Sequence, residues 1–136
     1  MTPQQPPIVL AMVPADRILV DVATGKNTVE GTFQSLSATV FPFVCQRFAV
    51  YVVLTDGYGE TRVRLVLVDV DEEREPVFEM ETMVEFSDPL AVAEVAFTRE
   101  VVAFPEPGEY RLQLFAANEP LMERRVQISF REDERL

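Results

Sequence analysis

The sequence predicts an all-β protein: one antiparallel β-sandwich of seven to nine strands. Three observations carry this. Apolar and polar residues alternate with a period of two through most of the chain, as half-buried strands require. The alternating stretches are short and separated by Gly, Pro, Asn and Asp clusters. No stretch shows the longer period of an extended amphipathic helix, and no internal repeat is present. At 136 residues the chain has the length of one domain and buries a core without staples. The domain is expected to span 1–136, with 1–7 and 131–136 frayed.

The strands follow in order. "ADRILVDV" places one near Arg17 to Val22. "ATGKNT" then turns the chain, with Gly25 supplying the special backbone angles, and a second strand runs near Val29 to Ser35. "QRFAVYVVLT" puts Phe48, Val50, Val52 and Leu54 on one face. "DGYGE" follows with two glycines, as a hairpin turn would. "TRVRLVLVDV" sets Val63, Leu65 and Leu67 on one face and Val66, Val68 and Val70 on the other, a strand needing cover on both sides. That cover is expected from the N-terminal run "IVLAMV" or from a second copy of the chain. "DEERE" makes the next turn. "PVFEMETMVEF" alternates Phe78, Met80, Val84 and Phe86 with a stripe of Glu79, Glu81 and Glu85. "VAEVAFTREVVAF" reads as strand, because Val95 and Phe97 alternate with Glu94 and Thr98 and β-branched residues are dense. "EYRLQLFAA" aligns Tyr110, Leu112 and Leu114. "NEP" turns, and "LMERRVQISF" points Val126, Ile128 and Phe130 inward.

Tyr110 refines the class. In "PEPGEYRLQL" it stands two residues after a Pro-Gly turn, at the start of the penultimate strand. Immunoglobulin-like sandwiches place there a tyrosine whose hydroxyl bonds backbone a few residues upstream. The chain resembles that broad architecture, and not the antibody domains within it, because Leu112 stands where their cysteine would and tryptophan is absent. The runs "DRILVDVATGKNTVEGTFQSLSATVFP", "FAVYVVLTDGYGETRVRLVLVD" and "PGEYRLQLFAANEPLMERRVQI" resemble a group of small bacterial proteins of unassigned function. They share the D-x-x-T-G-K turn, a later Phe-Pro and the Pro-Gly-x-Tyr corner. These are turn and core residues, so the resemblance implies a single-domain β-sandwich and carries no catalytic residue across.

The net charge is −11 and unevenly placed. Residues 1–68 hold five acids and five bases; residues 69–136 hold eighteen acids and seven bases. Such a surface repels nucleic-acid phosphates and anionic membranes. Its partners are expected to be proteins, itself included as a homodimer, with a cation as the alternative. The apolar run near the N-terminus lacks a preceding Lys or Arg and is too short for a secretory signal. The single cysteine, Cys45, excludes an internal disulfide and favours a reducing compartment. The expected location is cytoplasmic.

Enzyme chemistry finds little support. The chain has no histidine, which removes Ser-His-Asp and Cys-His catalysis and the commonest transition-metal ligand. Cys45 stands in an apolar context and is expected to be a buried, inert thiol. "TGKNT" lacks the earlier glycine and the Ser or Thr of a phosphate loop. Asp69, Asp71 and Glu73 begin like a calcium loop, but Arg74 occupies the position that needs glycine. Glu79, Glu81 and Glu85 share an exposed face, where carboxylates keep ordinary acidity. No catalytic, cofactor-binding or metal-ligating residue is assigned and no cofactor is expected. The expectation is a non-enzymatic interaction or self-association module. The alternative is an accessory domain binding a small ligand or calcium through its acidic half.

Overall fold

The computed structural model describes residues 6–70 and 74–132. The remaining termini, and Asp71 and Glu73 of the acidic turn, lie outside the described residues. Among the described residues there are eleven strands and no helix: β1 (Ile8–Val20), β2 (Asn27–Thr32), β3 (Ser35–Ala38), β4 (Phe43–Cys45), β5 (Phe48–Thr55), β6 (Gly59–Asp69), β7 (Phe78–Phe86), β8 (Ala93–Arg99), β9 (Val102–Phe104), β10 (Gly108–Ala116) and β11 (Glu119–Phe130). They form a four-stranded sheet β2-β1-β5-β8, a five-stranded sheet β3-β11-β10-β6-β7, and a short ladder β4-β9. Neighbours are antiparallel except β3, which runs parallel to β11.

The expected seven to nine strands become eleven because three of them, β3, β4 and β9, are only three or four residues long. Strands that short show too little alternation to be read from sequence. The run "VAEVAFTREVVAF" breaks at Glu100 and Val101: β8 stays on β5, whereas β9 leaves to pair with β4.

One core lies between the sheets. The four-stranded sheet contributes Met12, Phe48, Val50, Val52, Leu54 and Phe97, and the five-stranded sheet Val63, Leu65, Leu67, Leu112, Leu114, Val126 and Ile128. Each fully buried aliphatic side chain of this kind contributes about 1.5–3 kcal/mol. The alternating sets read from β5, β7 and β10 all fall on this inner side. Phe130 is a correction. It follows the inward parity of Val126 and Ile128 but is 58% exposed, because β11 ends there beside the short β3.

At one end of the core the packing is aromatic. Phe48 meets Phe33 and Phe78 edge-on, at centroid distances of 5.5 and 5.6 Å, and Phe104 at 6.2 Å. Phe104 stands edge-on to Tyr110 at 5.0 Å and stacks on Phe43 at 5.9 Å. The Tyr110 ring is buried, and its hydroxyl donates to the Glu106 carbonyl at 2.7 Å. The loop before β10 is thereby tied to the strand that follows it.

"DGYGE" is the second correction. It makes no hairpin, because β5 and β6 lie in different sheets. Asp56 and Gly59 take positive φ values of 59° and 67°, and the segment carries the chain from one sheet to the other. Gly57 is needed for close approach: a Cβ there would run into the Phe86 ring of β7. The β10–β11 connection is a true hairpin. Its turn residues are Ala117 and Asn118, at φ 50° and 67°, one residue ahead of the "NEP" that composition marked.

The N-terminal run as the cover of β6 is the third correction. Val66 and Val68 are buried on the outer face, but Val70 is exposed. The N-terminal run does not cover them, since it forms β1 in the other sheet. In register Val66 lies between Glu79 and Gln113, and Val68 opposite Arg111. The aliphatic stems of such long side chains shield apolar neighbours while their polar ends stay wet.

Two substitutions test this packing. Tyr110→Phe should destabilise the fold by about 1–2 kcal/mol in denaturant unfolding, because the Glu106 carbonyl loses its donor. Gly57→Ala should cost about 1–3 kcal/mol, the usual range for overpacking. Wild-type stability in either variant would contradict the contact assigned to it.

Candidate functional site

The outer face of the four-stranded sheet is shaped by one long hairpin. β1 outruns β5: Ala15 is its last residue opposite β5, and Arg17–Val20 pair only with β2. Nevertheless the Asn27 amide, opposite Val20, donates to a carboxylate oxygen of Glu94 at 3.0 Å. Glu94 lies on β8, level with Val53 and so with Ala11. A straight hairpin would hold Val20 about 30 Å from Ala11, at ~3.3 Å per residue. The hairpin therefore bends back across the sheet toward β8. This accounts for Ala49, which points outward on β5 yet is fully buried. Gly31 permits the bend, with φ 69° and the Asp16 side chain filling the space a Cβ would need. An Arg17–Glu30 ion pair ties the two hairpin strands together.

Beneath the hairpin, Tyr51 donates its hydroxyl to Glu94. This bond, reinforced by partial burial and the carboxylate charge, pushes the Tyr51 hydroxyl up to about 12. At the tip, Asp21 accepts from Ala23 N at 2.8 Å, and Gly25, at φ 73°, donates to the Asp21 carbonyl at 2.7 Å. The "ATGK" turn is thus built from its own side chains and backbone. Leu19 and Val20 are exposed beside it.

Each main sheet ends in two strands with one flank unpaired among the described residues: β2 and β8, β3 and β7. Three are blunted. β2 is interrupted by Gly31 with its positive φ. β3 has four residues. β7 carries Glu79, Glu81 and Glu85, of which Glu79 pairs with Arg64 at 2.9 Å and Glu81 with Arg62 at 3.9 Å. Besides Glu94, β8 has a charge of this kind only at its last residue, Arg99, which lies over the Phe78 ring at 5.6 Å. Its outward residues are Glu94, Ala96 and Thr98, with Glu94 held by Asn27 and Tyr51. Leu90, Val92 and Val101, flanking it in sequence, are exposed by 83%, 57% and 55%.

The other residues singled out from sequence fall elsewhere. Cys45 is half-buried rather than buried, on β4 opposite Val102. Its thiol donates to the Arg47 carbonyl at 3.2 Å, and burial pushes its pKa up, which disfavours the reactive thiolate. Asp69 lies 3.9 Å from Arg74. Among the described residues no group of three or more Asp, Glu, Cys or His is placed to hold a metal ion. Among them, too, no buried side-chain polar atom lacks a partner. Arg124 was missed: it reaches from β11 to donate to the Met12 carbonyl of β1 at 2.7 Å, linking the sheets. Lying between Glu123 and Arg125, it looked like part of a solvated charge run.

The Tyr51 shift has a pH consequence. An unfolded tyrosine ionises near 10. Stability is therefore full below about pH 10 and falls between 10 and 12, where the unfolded chain loses this proton and the folded one keeps it. Chemical denaturation across that range should show a shallower fall in Tyr51→Phe. Equal slopes would exclude the Tyr51–Glu94 bond as the cause.

A family model described as "Family of unknown function (DUF6941)" matches residues 10–129. No curated protein matches the chain.

Proposed function

The chain belongs to this family of unknown function, and we propose that it is a non-enzymatic protein-interaction module that takes up a strand along the open edge of β8. The observation that carries this reading is the contrast between β8 and the other three sheet margins. An exposed strand edge presents unpaired N–H and C=O groups and templates pairing unless charge, brevity or distortion prevents it. β8 alone of the four is regular, seven residues long and low in charge on its outward face. Main-chain pairing of this kind supplies affinity, and side chains on either side supply selectivity.

We read the architecture as an immunoglobulin-like sandwich. Support comes from the passage of the first strands between sheets, β1 antiparallel to β5 and β3 parallel to β11. The Tyr110 hydroxyl bonding back to Glu106 before β10 adds to it. The acidic second half opposes nucleic acid and anionic membrane as partners. The reading assumes the cytoplasm, in keeping with one unpaired thiol.

A strand-forming peptide with the sequence of residues 91–101 tests the edge. Added in excess to the dilute chain, it should slow amide hydrogen exchange across Ala93–Arg99, and the effect should vanish in Ala96→Lys. Slowing at β7 or β2 instead, or none anywhere, would overturn the reading.

A further inference from the structure

We propose that the strand taken up by β8 is β8 of a second copy of this chain, in antiparallel register about a twofold axis through Ala96. This rests on the open-edge reading above and adds the identity of the partner.

The register follows from the residues. Ala96 is the midpoint of Ala93–Arg99, so pairing centred there overlaps the whole strand. Ala93 then faces Arg99 of the partner copy, Glu94 faces Thr98, Val95 faces Phe97, and Ala96 faces itself. No pair brings like charges together, and every residue keeps its own face of the sheet, as an unbroken joined sheet demands. Shifting the axis to Phe97 sets Glu94 opposite Glu100. Shifting it to Val95 shortens the overlap. The same operation on β7 fails: centred on Thr82, it sets Glu79 opposite Glu85 in both halves. Like charges directly opposite destabilise a ladder, so the acidic stripe excludes self-pairing at one margin while β8 accepts it at the other.

The flanking surface fits this occupant. Val92 and Val101, both exposed, lie just beyond the two ends of the paired segment. There the antiparallel arrangement brings Val101 opposite Ala91 of the partner copy. A twofold arrangement is the commonest closed assembly of soluble chains. It joins the two four-stranded sheets into one and leaves β7 outside. Each copy carries a net charge of −11, so long-range repulsion opposes the approach and added salt should strengthen it.

Cysteine cross-linking reads the register directly. In a Cys45→Ser background, Ala96→Cys should form a disulfide-linked dimer under mild oxidation. Directly opposed strand residues lie about 4.5–5.5 Å apart at Cα, within the span a disulfide bridges. The rate should exceed that of Met83→Cys, an exposed control on β7, by at least about tenfold, because pairing raises the effective concentration. Glu94→Cys and Thr98→Cys should cross-link with each other when mixed, and neither with itself. Light scattering should give twice the chain mass at high concentration, more readily in high salt, and Ala96→Lys should restore a folded monomer with unchanged far-UV circular dichroism. A wild-type chain that stays monomeric at high concentration in both low and high salt overturns the proposal, as does Ala96→Cys cross-linking no faster than the control. If the peptide of residues 91–101 still binds at β8 in that case, the open-edge reading stands and the partner is another protein. If neither associates, both fall.

Discussion

The aromatic packing of Phe48, Phe104 and Tyr110 is the contact on which the rest of the fold depends. Phe48 belongs to the four-stranded sheet, Tyr110 to the five-stranded sheet, and Phe104 to the short ladder between them. Phe104 is fully buried, with both neighbours within 6.2 Å of its ring centre. An edge-to-face pair such as Phe104–Tyr110 adds about 0.5–1.5 kcal/mol beyond the area it buries. The Tyr110 hydroxyl then fixes the loop that leads from Phe104 into β10. The end of the core, where strands leave one sheet for the other, is closed by rings and one hydrogen bond rather than by a disulfide.

From that closure follows the division of the surface. The five-stranded sheet turns outward a face of alternating sign, laced by Arg64–Glu79, Arg111–Glu123 and Arg125–Glu109. Arg64 also lies over the Phe115 ring at 4.4 Å. Exposed ion pairs of this sort contribute little to stability, about 0–1 kcal/mol each. The four-stranded sheet has its outer face partly covered by its own hairpin and one margin left regular, with Glu94 its one outward charge.

The hairpin connects these features. Its bend buries Ala49, carries Asn27 to Glu94, and so fixes the one acidic side chain that points outward from β8. Glu94 accepts from both Asn27 and Tyr51, which fixes a charge that would otherwise range over the edge. Gly31 and Asp16 make the bend, on β2 and β1, away from the margin it affects.

Period-two alternation determined the all-β class and the inward sets of β5, β7 and β10, because a strand repeats its environment every second residue. The absence of histidine is likewise legible in the sequence alone. Other features depended on which strands meet. "DGYGE" has the composition of a hairpin whether it joins neighbours in one sheet or crosses between two. Phe130 has the right parity but sits where its sheet runs out. Arg124 reads as one charge among several until β1 places a carbonyl within its reach. The open margin was legible least of all: Ala93–Arg99 is an ordinary alternating strand in sequence. Only the strand order, set by long-range pairing rather than local pattern, made it an edge.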